Sequence, residues 1–159
     1  MNLLFINPSS MPATEQEALL DRSFILRVPS FSMPIGLLDL SAFVRSSVPS
    51  ARVELLDVGL DLHKEFHDRE RKPQSLASFL EHELDKVQMV PDVVGVSILF
   101  SSAHRSSLLM SDLAKRKWPN STVICGGNHA TNCYGLILAH PSVDYVALGE
   151  AELSLRLRS

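Results

Sequence analysis

The sequence predicts an α/β protein built on a doubly wound, five-stranded parallel sheet of order 2-1-3-4-5. Three observations predict it. Five short apolar runs have the length of buried strands, each is followed by a loop and a helix-like stretch, and Val and Ile are concentrated in the longest runs. Strands rich in Val and Ile are covered on both faces, and right-handed crossovers then place helices on either side of the sheet. At 159 residues, with 45% hydrophobic and 21% charged content, the chain has the balance of one globular domain.

The elements follow in order. Leu3–Ile6 is the first strand. Pro34–Arg45 reads as the first helix, because proline is tolerated in a first turn whose N–H groups have no partner. Val53–Val58 is the second strand, and the charged stretch 61–74, ending near Pro73, reads as a surface connection. Leu76, Phe79, Leu80, Leu84 and Val87 recur at three- and four-residue steps and predict a helix with one apolar face. The third strand spans Val93–Phe100. Ser101 or Ser102 is placed to cap a helix carrying Leu108, Leu109 and Leu113, and Lys115, Arg116 and Lys117 complement the dipole at its end. Thr122–Cys125 and Tyr145–Leu148 complete a flavodoxin-like, Rossmann-like sheet, whose ligands bind beyond the carboxyl ends of the strands.

Several chemistries are excluded. Fifteen basic against eighteen acidic residues give a formal charge of −3, without the excess that nucleic acid or an anionic membrane requires. No run approaches the roughly 18 apolar residues of a spanning helix, and the N-terminus lacks a basic segment and cleavage site, so the expected address is the cytoplasm. Two cysteines, Cys125 and Cys133, cannot complete a four-cysteine metal site; they read as a buried thiol and a loop thiol. His63 and His67 share a helical spacing, but Lys64 stands where a zinc protease needs its glutamate base. Gly-rich dinucleotide and P-loop fingerprints do not occur. A phospho-acceptor receiver is excluded as well, since Asn7-Pro8 and Phe100-Ser101-Ser102 replace its acidic residues.

Three loops at the expected carboxyl edge carry small or polar residues: Asn7-Pro8-Ser9-Ser10, Ser97 to Ser102, and Gly126-Gly127-Asn128-His129-Ala130-Thr131. Taken singly, each loop is also explained by helix caps and a tight turn. Together they suit one pocket for a neutral, bulky ligand, because glycines allow close backbone approach and hydroxyls and amides orient without charge. The ordered pair Ser97-Ile98-Leu99 and Gly126-Gly127, with residues 100 to 125 between, resembles the S-x-L and G-G motifs of cobalamin-binding domains. Asn7-Pro8, Met33-Pro34-Ile35-Gly36-Leu37-Leu38, Gly126 to Thr131 and Val143 to Glu150 are similar to the version found at the N-terminus of cobalamin-dependent radical S-adenosylmethionine enzymes. The resemblance covers nearly the whole chain.

That resemblance implies site residues and partners. Ser97 would hydrogen-bond the dimethylbenzimidazole tail, with Ser101 a further hydroxyl nearby; Leu99 would line the slot, and Gly126 and Gly127 would let the tail pass. Asn128, His129 and Thr131 would reach the nucleotide loop or corrin amides. Pro8, Pro34 and Gly36 would shape the floor under the ring, and Gly149-Glu150 would follow the last strand, unless Glu150 only starts a helix. The D-x-H-x-x-G loop of the family is altered: with Gly36 in its last position, Phe31 replaces the aspartate and Met33 the axial histidine. The resemblance therefore implies base-off cobalamin without a protein imidazole, with His104 and His129 the remaining imidazoles to weigh as ligands. It implies residues 1–150 as the cobalamin-binding domain and 151–159 as the start of a linker to a catalytic domain absent from this sequence. That domain would carry S-adenosylmethionine and a 4Fe-4S cluster on a C-x-x-x-C-x-x-C triad, and methyl transfer would be its reaction. The chain alone is not expected to be catalytic, and a cofactor-free docking domain on the same fold is the alternative.

Overall fold

The strands are short apolar runs, and in the computed structural model the alternation of successive side chains sorts them onto the two faces of one sheet. The structure describes residues 1–23, 33–68, 70 and 72–150. Strands β1 (Asn2–Asn7), β2 (Arg52–Asp57), β3 (Val93–Ser97), β4 (Thr122–Gly126) and β5 (Tyr145–Val146) form a wholly parallel sheet of order β2-β1-β3-β4-β5. The doubly wound expectation holds, including the switch point between β1 and β3.

Leu4, Ile6, Val94, Val96, Val123 and Cys125 point to the larger core. Helices α1 (Ala13–Asp21), α3 (Val58–His67), α4 (Leu76–Asp85) and α5 (His104–Lys117) close over it with Leu19, Leu62, Phe79, Leu80 and Met110. On the opposite face α2 (Ile35–Ser47) lays Leu40 and Val44 against Leu3 and Phe5. Two short helices, α6 (Asn128–Asn132) and α7 (Tyr134–Leu138), link β4 to β5. Burial pushes the Cys125 thiol up to about 11, so it is an inert core group, and Cys133 is half-buried between α6 and α7.

Several expected boundaries move. Helix α1 was not anticipated, because its buried face contains Gln16 beside Ala13, Leu19 and Leu20. The Gln16 amide nitrogen is satisfied inside the core, donating to the Met11 carbonyl at 2.6 Å and Ser106 Oγ at 3.1 Å, while its Oε1 has no hydrogen-bond partner among the described residues. The stretch expected as a surface connection begins as helix, and β2 ends at Asp57 rather than Val58. Asp57 Oδ1 accepts the Leu60 N–H at 3.2 Å and starts α3 with no intervening loop. That places His63 and His67 on one helix, ring centroids 4.7 Å apart. No group of three metal-ligating side chains forms among the described residues. Neither Ser101 nor Ser102 caps α5: a short 3-10 turn, Ser101–Ala103, precedes it, and Ser102 Oγ donates to the Ser10 carbonyl at 2.6 Å. The basic end of α5 behaves as expected, with Lys115 bound to Asp144 at 2.7 Å and Lys117 paired with Asp85. No helix among the described residues is long and apolar enough to cross a membrane.

Between α3 and α4, Glu83 is 1% exposed. Burial, reinforced by a hydrogen bond with Asp61, pushes its carboxyl up to about 7, although Lys86 Nζ lies 2.6 Å from it. An acid whose folded pKa exceeds its unfolded one stabilises the fold most in its protonated form, so this contribution declines as pH rises from about 4.5 through 7. Glu83→Gln keeps a hydrogen-bonding group there and removes the ionisation. Urea unfolding at pH 5 and pH 8 should show the variant gaining stability relative to the parent at the higher pH; a constant difference would refute this account.

Candidate functional site

Helix α2 covers only the β1 end of its sheet face, which leaves a groove over β3, β4 and β5. The strand alternation that buries Val94, Val96 and Cys125 turns Gly95, Ser97 and Gly126 toward this groove, where Ser97 and Gly126 are register neighbours. Ala147, just after β5, extends the row of small side chains. Gly36, Leu37 and Leu40 of α2 form one wall, and Leu99, Gly149 and Glu150 stand beyond the strand ends. The groove encloses about 380 Å³, at the lower end of the roughly 300–1,000 Å³ of small-ligand pockets.

The glycines here differ in why they must be glycine. At Gly95 a Cβ would stand 2.8 Å from Phe5 Cδ1, so its reason is packing. Gly127 has φ 102°, and its Cβ would lie 2.8 Å from the Ile98 carbonyl oxygen, so its reason is the turn itself. Gly126 and Gly36 are different. A Cβ at Gly126 would meet only the Ala147 methyl, at 3.6 Å, and one at Gly36 nothing within 4 Å. Neither has a positive φ. Their missing side chains leave open groove.

Ser97 is half-buried in the same groove, and its hydroxyl makes no hydrogen bond among the described residues. Of the residues expected from sequence, the structure thus brings together Gly36, Ser97, Leu99, Gly126, Gly127, Gly149 and Glu150. It sets the others around the groove rather than in its lining. Pro34 precedes α2, Ser101 opens the exposed 3-10 turn, and Pro8 is half-buried after β1. Asn128 accepts from Asn132 Nδ2, through its carbonyl at 2.9 Å and Oδ1 at 3.3 Å. Thr131 Oγ1 accepts the Gly149 N–H at 3.2 Å. His129 Nε2 lies 3.0 Å from His104 Nδ1. Burial, then the charges of His129 and His140, hold His104 below the ordinary imidazole value. Met33 is 70% exposed ahead of α2, while Phe31 and residues 151–159 lie outside the described residues.

Sequence reasoning missed Phe5, Leu37, Leu40, Val93, Gly95, Val96, Ile124, Tyr145, Val146 and Ala147, which complete the lining. Stepping back two residues from Ser97 and from Gly126 reaches Gly95 and Ile124, a signal present in the strand period but not used.

The B12 binding domain family model matches residues 25–157. The chain belongs to the B12-binding domain family. No curated protein and no solved structure matches it. Family membership supports cobalamin binding, and the B12-binding domain offers a matching cradle. Open space at Gly126 and Gly36, a free Ser97 hydroxyl and mostly apolar walls suit a flat heteroaromatic tail.

The two adjacent glycines separate by substitution. Gly127→Ala introduces backbone strain of about 1–3 kcal/mol at a positive φ, besides a backbone clash. Gly126→Ala should change stability by less than about 1 kcal/mol. Urea titration of both apo-variants checks this, and equal losses would overturn the distinction.

Proposed function

We propose that this chain is the base-off cobalamin module of a radical S-adenosylmethionine enzyme that carries out methyl transfer. The observation that carries the cobalamin part is the family match over residues 25–157, coinciding with a groove whose open positions are Gly36, Ser97 and Gly126. The base-off part is supported by the side chains near the groove. Among the described residues no histidine lines it, His104 and His129 engage each other, and exposed Met33 occupies the sequence position of the axial histidine. The radical-enzyme part is supported by the resemblance of Met33 to Leu38, Gly126 to Thr131 and Val143 to Glu150 to that branch. The S-adenosylmethionine and 4Fe-4S cluster then belong to a catalytic domain, since two cysteines cannot hold the cluster.

When bound, cobalamin supplies a cobalt centre able to carry a methyl group. The residues of this chain bind and orient. Ser97 would donate a hydrogen bond to the tail, Gly126 would allow it to approach the backbone, and Leu37 and Leu40 would exclude water from it. A tail held by these residues would leave the cofactor base-off.

Incubation with hydroxocobalamin, gel filtration and a visible spectrum test the module. Bound, base-off cofactor is expected, and after reduction its electron paramagnetic resonance should lack nitrogen superhyperfine splitting. A protein that elutes colourless would reject cobalamin binding, and a nitrogen-split signal would reject the base-off mode.

Two substitutions locate the tail. Gly126→Leu should abolish binding while the apo-protein stays folded, because the added side chain enters open groove. Ser97→Ala should weaken binding by about 0.5–1.5 kcal/mol, the net scale of one neutral hydrogen bond. Unchanged affinity in a folded Gly126→Leu protein would remove the tail from this groove.

A further inference from the structure

The five residues of α6 form too short a helix to hold its own position, so its place depends on ties to its surroundings. Two are backbone bonds: the His129 and Ala130 N–H groups both donate to the Ile98 carbonyl, at 3.0 and 3.3 Å. One side-chain tie reaches α5. His104, the first residue of that fourteen-residue helix, places Nδ1 3.0 Å from His129 Nε2, with the rings edge to face at 88°. Among the described residues no other side-chain hydrogen bond joins α6 to α5. Helix α5 is fixed in the core by Met110, Leu113 and Ala114, so His104 is the rigid member of the pair.

What this tie holds is the edge of the groove. Gly126 and Gly127 immediately precede α6, and Thr131, also on α6, accepts the Gly149 N–H at the groove's far end. We propose that His104 is a positioning residue for the B12 groove, acting through its hydrogen bond to His129 to hold the segment between β4 and β5 in its binding geometry. This role rests on the cobalamin reading above. It also makes the geometry sensitive to acid. One imidazole must offer a lone pair and the other an N–H; when both carry two protons, two N–H groups face each other and the bond is lost. The titratable groups acting on His104 are His129 and, more distantly, His140, whose own Nε2 lies 3.7 Å from Asp112. Burial first, and then the charges of His129 and His140, hold His104 below the ordinary imidazole value. The bond therefore holds while either ring offers a lone pair and fails in acid, once both rings are protonated.

Equilibrium dialysis with hydroxocobalamin at pH 7.5 and 5.5 tests this on the parent, His104→Asn and His104→Ala. Asn can place a polar atom near the position of Nδ1 but does not titrate. The parent is expected to weaken about fivefold on acidification, His104→Asn to bind within about twofold of the parent at pH 7.5 and to stay level at pH 5.5, and His104→Ala to be about fivefold weaker at both. Limited proteolysis of the apo-proteins supplies a readout without cofactor, with cleavage between residues 126 and 134 faster in His104→Ala and, at pH 5.5, in the parent. If His104→Ala does not fold, the contrast in pH profile between parent and His104→Asn decides alone. A parent that binds no cobalamin at pH 7.5 defeats the cofactor reading and this role with it. A parent that binds equally at both pH values, or a folded His104→Ala that matches it, defeats the positioning role alone.

Discussion

The meeting of β3 and β4 at their carboxyl ends is the constraint on which the site depends. Ile98 donates its N–H to the Gly126 carbonyl at 2.7 Å, and its own carbonyl receives two N–H groups from α6. The chain can turn sharply enough to make these contacts only with a positive φ at Gly127, where a Cβ would collide with that same carbonyl. Both strands are therefore finished by one cluster of bonds. Leu99 and Phe100, which continue the apolar run, swing outward and are exposed instead of extending the ladder.

This closure fixes where space is left. One face of the sheet is packed by α1, α3, α4 and α5 around Leu4, Ile6, Val94 and Val96. Among the described residues the other has α2 alone, seated on Leu3 and Phe5. Beyond Phe5 the small residues Gly95, Ser97, Gly126 and Ala147 stand among Val93, Ile124 and Tyr145 on that side, so the sheet surface carries little side-chain volume at their positions. A groove results from the absence of side-chain volume, and Gly95 is needed simply because Phe5 fills its place. Membership of the B12-binding domain family makes this space the candidate place for cobalamin.

Polar groups behind the groove act mainly on one another. His104 engages His129, Thr131 engages Gly149, and Ser102 engages the Ser10 carbonyl. These bonds connect the loops that follow β1, β3, β4 and β5 across the carboxyl edge, leaving the Ser97 hydroxyl free within the groove. Loops bound in this way present a formed cradle, which reduces the ordering cost of binding a large ligand.

The sequence by itself determined the sheet, its parallel order, α4 and the central site positions. The apolar runs Leu3–Ile6 and Val93–Val96, the three- and four-residue spacing in Leu76–Leu84, and the paired motifs Ser97-Ile98-Leu99 and Gly126-Gly127 all depend on neighbours close in the chain. It did not reveal α1, whose buried Gln16 donates to Ser106, ninety residues away. Nor did it separate Gly126, glycine beside open groove, from Gly127, glycine by backbone necessity, because that difference lies in contacts with Ala147 and Ile98. His129 likewise reads as a candidate ligand until α5 brings His104 to 3.0 Å from it. Local periodicity is written along the chain; the partner of a buried polar group, and whether a missing side chain leaves space or a turn, are decided only when distant segments meet.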